Sequence, residues 1–253
     1  MNYIDHEDFV VNCADRRFTD IEHTYQMVRQ NTACRLQIGS YTCGGYFFGL
    51  TQWLKKNPLP ADAAGYDLVL PVFSESQLDW LSVADDILKC ARHIVVNDYG
   101  MLRHFSGDKR VRLGRLLFRD YRDHRYKEYE TNRTYQAKAV SLINVLREMG
   151  YEIFSVENDM ITADYAVDLG QIHIYYHFPY RQVSSAHICE FAAIGKPVEK
   201  KFIPDDACAF QCFDVKIRHE AGYMKIGRSV FDILPESWLS AMPRSRIIYT
   251  PRW

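Results

Sequence analysis

The feature that most constrains the fold is a repeated alternation of short β-rich runs with helical patterns. Strand-like runs occur at residues 9–14, 35–40, 67–73, 93–98 and 110–117. Between them, apolar residues recur at helical spacing, which predicts helices over 20–30, around 50–56, and from Ser74 to about Lys89, where Gln77 occupies the capping-box position. Pro- or Gly-containing segments separate the units. Such alternation is typical of a mainly parallel sheet with helices on its outer face. The number of units predicts an α/β fold, a (β/α) barrel variant that is incomplete or irregular.

The second half of the chain continues the pattern and then changes character. We predict a helix over 134–149 and strands near 153–156, 160–165 and 171–178. Segment 213–253 carries strand-like runs with few helical breaks. We interpret it as the last barrel strands plus an antiparallel embellishment, which gives a strand-rich C-terminal end. Residues 1–253 are thus expected to form a single barrel-like domain.

Composition excludes several classes of protein. Apolar residues make up 47% of the chain and charged residues 25%, which is ordinary for a globular protein. The 31 Lys and Arg nearly balance the 32 Asp and Glu, which disfavours a globally basic nucleic-acid-binding protein but leaves room for a local basic patch. No apolar run approaches the roughly 18 residues of a membrane span, and the polar start is unlike a secretory signal. We therefore expect a cytoplasmic protein.

Seven cysteines without a secretory signal favour metal ligands or reactive thiols over disulfides. Cys208 and Cys212 are separated by three residues, so a helical turn would place both thiols on one face. Cys189 lies upstream of them, and Cys43 follows the second predicted strand. In a parallel barrel both positions belong to loops at the C-terminal face, where active sites are built. Such thiolates can hold zinc, with His187 as a further ligand, or an iron–sulfur cluster.

Core packing is the alternative for every one of these thiols, because a free Cys often behaves as a small hydrophobe. We predict packing for Cys13, Cys34 and Cys90, which lie beside predicted strands or a predicted helix. For Cys189 and the CAFQC pair, spacing alone leaves metal binding and packing open.

Two neighbouring segments resemble the mid-barrel signature of the collagenase-like peptidase family, peptidase family U-thirty-two. One strand ends in Asn97-Asp98 with Gly100 shortly after, and the next carries the run Gly114 to Leu117. The cysteine pattern resembles the UbiV-like branch of oxygen-independent hydroxylases in that family. This resemblance, over roughly residues 35 to 215, implies a four-iron four-sulfur cluster. The ligands that it implies are Cys43, Cys189, Cys208 and Cys212.

The resemblance also implies an activity and a partner. It points to an enzyme component that hydroxylates a small molecule without dioxygen, within a heterodimer with a related family subunit. A collagenase-like peptidase is one alternative, although it needs a nucleophile with an adjacent base, and the sequence identifies neither. A non-catalytic iron–sulfur partner subunit is another, and it needs the same four thiolates as the enzyme.

Two further residues are candidates for the substrate end of the barrel. Asp98 ends a predicted strand, where it can accept a proton or bind a hydroxyl group, or can instead cap a turn or helix. Arg115 lies inside an apolar predicted strand, where a guanidinium needs a partner or an anionic ligand. We interpret the charged run 119–130 as solvated surface. His173 and His177 are interpreted as ordinary interior or surface histidines.

Overall fold

A computed structural model describes residues 9–63, 65–117, 142, 144–151, 155–158, 173–186, 188–200, 208, 210–220, 222–237, 239 and 246–251. Eight parallel strands in this part of the chain form a sheet that closes into a barrel. They are β1 (Phe9–Asn12), β2 (Arg35–Gly39), β3 (Asp67–Val69), β4 (His93–Val96), β5 (Val111–Leu113), β6 (Ser155–Asn158), β7 (His173–Phe178) and β12 (Arg246–Tyr249).

The last strand of the chain completes the sheet. β12 pairs in parallel with β7 on one side and with β1 on the other, so the strand order returns to its start. The thinnest junction joins β5 to β6, where only Leu113 and Val156 are in register. The predicted α/β class with a mainly parallel sheet is confirmed.

Helices occupy the connections between successive strands. They are α1 (Asp20–Arg29), α2 (Gly44–Lys56), α3 (Glu75–Leu78), α4 (Asp85–Cys90) and α5 (Tyr99–His104). In α1, Ile21 and Tyr25 lie one turn apart on the same face and are buried in one cluster with Leu36 and Ile38 of β2. The helices therefore cover the sheet through apolar faces, as the helical spacing predicts.

Two predicted helix boundaries were wrong for local reasons. α2 begins at Gly44, six positions before the predicted start, because the Cys43 side chain caps it by accepting a hydrogen bond from the Tyr46 N–H. The helix predicted from Ser74 does begin with the expected capping box between Ser74 and Gln77. It is interrupted by a 3-10 turn over Asp79–Ala84 before α4 starts.

A second sheet is inserted between β7 and β12. It is antiparallel and has the order β8-β11-β10-β9. Its strands are β8 (Tyr180–Ser185), β9 (Lys216–Arg218), β10 (Met224–Ile226) and β11 (Ser229–Ile233), and a short helix, α6 (Glu190–Ala193), follows β8. The antiparallel embellishment thus begins earlier than the predicted segment 213–253, because β8 belongs to it.

The remaining predictions divide between described and undescribed residues. Cys13 and Cys34 are buried as predicted, whereas Cys90 is exposed at the end of α4, so its predicted core packing is wrong. Residues 142 and 144–148 are helical within the predicted helix 134–149. The rest of that helix N-terminal to 142 and the predicted strand 160–165 lie outside the described residues.

None of the helices in the described ranges combines the length and the apolar character that crossing a membrane requires.

Candidate functional site at the carboxyl ends of the strands

A cavity of about 330 Å³ lies where the barrel strands end. Its walls include Asp15 after β1, Cys43 after β2, Arg115 after β5 and Thr250 after β12. The inserted sheet supplies the facing wall, which includes Arg228 between β10 and β11. Loops that are distant in sequence meet at this end of a parallel barrel, and active sites are built there.

All four cysteines that the family resemblance selects line this one cavity. Cys43 comes from the barrel, whereas Cys189, Cys208 and Cys212 come from the connection between β7 and β12. Burial raises the pKa of the Cys212 thiol to about 12, and the nearby thiols of the other three add to the rise. The fold therefore brings together four thiols that the sequence keeps far apart.

Backbone N–H groups hold three of the four sulfur atoms. Such donors favour the thiolate form, which is the form that ligates metals. The pairs are Tyr46 N with Cys43 Sγ (3.4 Å), Ala192 N with Cys189 Sγ (3.5 Å) and Phe210 N with Cys208 Sγ (3.4 Å).

The segment that carries Cys208 and Cys212 is anchored by aromatic packing. Phe210 adopts a left-handed conformation with φ of 53°, so Cys208 and Cys212 do not belong to one continuous helical turn. Its ring stacks on Phe213 at 5.4 Å between centroids. A Cβ atom at Gly49 of α2 would lie 2.4 Å from that ring, so the absence of a side chain at this position lets Phe210 dock.

Asp15 is a cavity residue that sequence reasoning missed. It has a left-handed φ of 61°, and its carboxylate accepts hydrogen bonds from the Ser40 hydroxyl and, at 3.3 Å, from the Tyr41 N–H. Burial raises the pKa of Asp15, while these hydrogen bonds and the charges of Arg115 and Arg228 oppose the rise. Its place directly after the first strand was the available signal.

Arg115 lies just beyond β5 rather than inside it, and it is only 5% exposed. Its Cζ atom lies 4.1 Å from the centroid of the Tyr41 ring and 5.5 Å from that of Phe231. Nη1 donates to the Tyr180 carbonyl oxygen at 3.5 Å, and Nε is buried without a hydrogen-bond partner. Arg115 thus lines the cavity with one guanidinium donor, Nε, that has no acceptor.

The motif residues around Asn97 hold the loop that carries Arg115. The buried Asn97 side chain donates to the Leu70 carbonyl oxygen at 2.9 Å and accepts from the Leu116 N–H at 3.4 Å. A Cβ atom at Gly114 would lie 2.2 Å from Asn97 Oδ1. Asn97 and Gly114 thus position the segment after β5 rather than contact the cavity.

Asp98 lies outside the set of residues that line the cavity. It is the N-cap of α5, and its Oδ1 accepts the Met101 N–H at 2.8 Å. Burial raises the pKa of Asp98, and backbone hydrogen bonds from Met101 and Gly100 counteract part of the rise. Of the roles proposed for Asp98, its contacts match that of a helix cap.

The thiols do not form a compact single-ion site. Within the described part of the chain, no three His, Cys, Asp or Glu side chains are grouped closely enough to hold one metal ion. His187, the predicted further zinc ligand, lies outside the described residues, as does the charged run 119–130.

Beneath the cavity, the barrel interior contains a network of buried charged groups. Arg112 Nη2 lies 2.9 Å from Asp67 Oδ2, and its Nη1 lies 3.4 Å from Glu157 Oε1. Glu157 Oε2 also lies 3.2 Å from His177 Nε2 and accepts the Tyr41 hydroxyl at 2.8 Å. His177 is therefore an interior histidine with a partner, as predicted, while Tyr41 joins the network to the cavity wall.

The network keeps both carboxylates ionised. Burial opposes the charge on Asp67, but Arg112, His93 and Arg35 hold its pKa well below the usual value. Burial likewise opposes the charge on Glu157, and His177, Arg112 and Tyr41 hold its pKa below the usual value.

Comparisons with protein-family models, curated proteins and solved structures found no significant match to this chain. The chemistry of the cavity is therefore the basis for assigning a function.

Proposed function

We propose that this protein is an iron–sulfur protein in which Cys43, Cys189, Cys208 and Cys212 hold a four-iron four-sulfur cluster. The observation that carries the proposal is that these four thiols line one cavity at the carboxyl ends of the barrel strands. Thiolate sulfur is the ligand that iron–sulfur clusters require, and four of them complete such a cluster.

The arrangement suits a cluster better than a single zinc ion. Zinc gathers four thiolates to within about 3.8 Å of one another, because each Zn–S bond is about 2.3 Å long. A cubane cluster spreads its thiolates more widely, since each binds a different iron atom. The four thiols share one cavity, and among the described residues no three such donors are grouped around a single-ion position.

The protein supplies the surroundings that such a group needs. When bound, a four-iron four-sulfur cluster held by four thiolates supplies electron transfer. The backbone N–H groups that contact three of the sulfur atoms stabilise negative charge on them. Arg228 adds a positive charge that lowers the pKa of Cys43 against the effect of burial. Phe210, another lining residue, packs against Phe18 and Phe213 beside the thiols.

We extend the proposal to the activity that the family resemblance implies. The protein would be a cytoplasmic component of an oxygen-independent hydroxylase, working with a related subunit on a small molecule. Free thiols belong in a reducing compartment. Arg115 lies on the cavity wall where it would face the substrate. Asp98 has no catalytic part in this proposal, because its carboxylate caps α5.

The test begins with the full chain purified without oxygen. We expect a brown protein with a broad absorbance band near ~400 nm and about four iron and four sulfide per chain. Replacing any one of the four cysteines by Ser should lower the iron content and bleach the band. Cys90→Ser is the matched control, because Cys90 is exposed and does not line the cavity. It should leave the iron content unchanged.

Other outcomes would replace the proposal. A colourless protein with one zinc per chain would show a structural zinc site. If the protein stays free of metal after anaerobic reconstitution, the four thiols are packed side chains and not ligands. Gelatin cleavage that disappears in a cavity variant would favour a peptidase.

A further inference from the structure

We infer that the same cavity contains an oxyanion-binding site, built on Arg115, for a small organic acid. The inference names the class of ligand, and as a statement about the substrate it rests on the proposed function. Oxyanion binding itself can be tested with or without a cluster, because none of the contacts that support it involves a thiol.

The first argument is that Arg115 is a buried cation without an ion-pair contact, although the charge of Asp15 in the same cavity interacts with it. Among the described residues, no carboxylate lies within 4.0 Å of its guanidinium. Its hydrogen bond to the Tyr180 carbonyl oxygen is long, at 3.5 Å, and Nε has no partner. Burying an unpaired charge is costly, so an interior guanidinium in this condition is suited to a ligand that supplies the negative charge.

The second argument concerns what the aromatic rings leave available. Tyr41 and Phe231 contact the guanidinium through their π faces, and this attraction uses no N–H donor. The planar guanidinium therefore keeps donors that match the two oxygens of a carboxylate or phosphate group. The rings also provide an apolar surface for the body of the ligand.

The third argument is the charge of the cavity. With the thiols protonated, basic lining residues outnumber acidic ones, and an electropositive cleft attracts anions. Of these residues, Arg17 is paired with Asp214, while Arg228 donates from Nε to the Ala186 carbonyl oxygen at 3.0 Å. The basic residues are Arg16, Arg17, Arg115, Lys216 and Arg228, and the acidic ones are Asp15, Asp20 and Asp214.

The size of the cavity limits the ligand to a small molecule. A volume of about 330 Å³ is at the lower end of the range for small-molecule sites, and a bound cluster would leave less of it for the ligand. A carboxylate on a planar apolar body would use both the guanidinium and the rings. A phosphate group offers the same oxyanion chemistry without the apolar contact, so the two can be told apart by relative affinity.

The test measures thermal unfolding of the full chain, purified without oxygen, in the presence of benzoate, acetate or inorganic phosphate at constant ionic strength. We expect a saturable rise in Tm for the wild type, because a ligand that binds only the folded state stabilises it. Arg115→Gln should weaken binding by about tenfold or more. Arg115→Lys keeps the positive charge but loses the planar fork, so it should also bind more weakly.

The control variant is Arg181→Gln, which removes a guanidinium of β8 that pairs with Asp232 and does not line the cavity. It should bind the probes as the wild type does. Tighter binding of benzoate than of phosphate assigns the site to a carboxylate, and the reverse order assigns it to a phosphoryl group.

Two results would overturn the inference. One is the absence of a saturable shift with all three probes in the wild type. The other is an affinity for the probes that is the same in Arg115→Lys as in the wild type, and the same in Arg115→Gln if that variant folds. Iron content measured on the same samples separates the two proposals. Oxyanion binding without iron would leave this inference standing and refute the cluster, and iron without oxyanion binding would do the opposite.

Discussion

Two buried guanidiniums, three positions apart in the chain, show how a structural cluster differs from a ligand site. Arg112 is fully buried and contacts the carboxylates of Asp67 and Glu157. Arg115 is almost as buried, yet it has aromatic rings and one carbonyl oxygen as neighbours instead of an ion pair. Burial of charge is therefore common to both, and the lack of a carboxylate in contact with its guanidinium is the reason that we propose Arg115 as a binding residue.

The largest expected effect is on the interior network. Arg112→Met leaves the carboxylates of Asp67 and Glu157 buried without their shared cation. We expect the free energy of unfolding to fall by about 3–5 kcal/mol, measured by urea denaturation at neutral pH. Arg181→Met removes a partly exposed pair with Asp232 and should cost about 0–1 kcal/mol. Equal losses of unfolding free energy in the two variants would show that the interior network stabilises the fold no more than a partly exposed ion pair does.

The second effect is acid sensitivity of the same network. Asp67 and Glu157 have pKa values below normal in the folded protein and about 3.9 and 4.3 in the unfolded chain. A depressed pKa contributes stability that is complete above these values and is lost as the pH falls toward the folded pKa. Below about pH 4, each of the two carboxylates should lower the free energy of unfolding by up to about 1.4 kcal/mol per pH unit.

The acid effect can be assigned to one residue. Urea denaturation between pH 5 and pH 3 should give a shallower pH dependence for Asp67→Asn than for the wild type, since Asn takes up no proton. If the unfolding free energy of Asp67→Asn depends on pH as steeply as that of the wild type, residues other than Asp67 cause the acid sensitivity.

The smallest effect should come from Arg115. Arg115→Met loses the attraction to the rings of Tyr41 and Phe231 but also removes a buried charge without a matching anion. These contributions oppose each other, so we expect unfolding free energy to change by less than about 1 kcal/mol when no oxyanion is added. A loss as large as that of Arg112→Met would mean that the two guanidiniums are equally well paired.

The sequence was most informative where the pattern is local. Strand and helix alternation predicted the order of the elements, and the spacing of Ser74 and Gln77 predicted a capping box that is present. The start of α2 was missed because a cysteine is an uncommon helix cap. β8 was missed because its pairing with β11 depends on residues about fifty positions away.

The site shows the same division. Cysteine spacing and family resemblance selected four thiols that do line one cavity, and an arginine in an apolar context pointed to Arg115. Asp15 was missed because it lies in a loop without a recognisable motif. The network around Arg112 was missed because strand register decides which polar side chains meet inside the barrel, and register is not visible in a single strand.

The place of the inserted sheet has a consequence for the unfolded chain. Cys43 belongs to the first quarter of the barrel, while the other three thiols belong to the insertion between β7 and β12. A group bound by all four would act as a cross-link between segments that are distant in sequence. Closing so long a loop removes much conformational entropy from the unfolded state, so the loaded protein should gain stability that no contact within the folded structure accounts for.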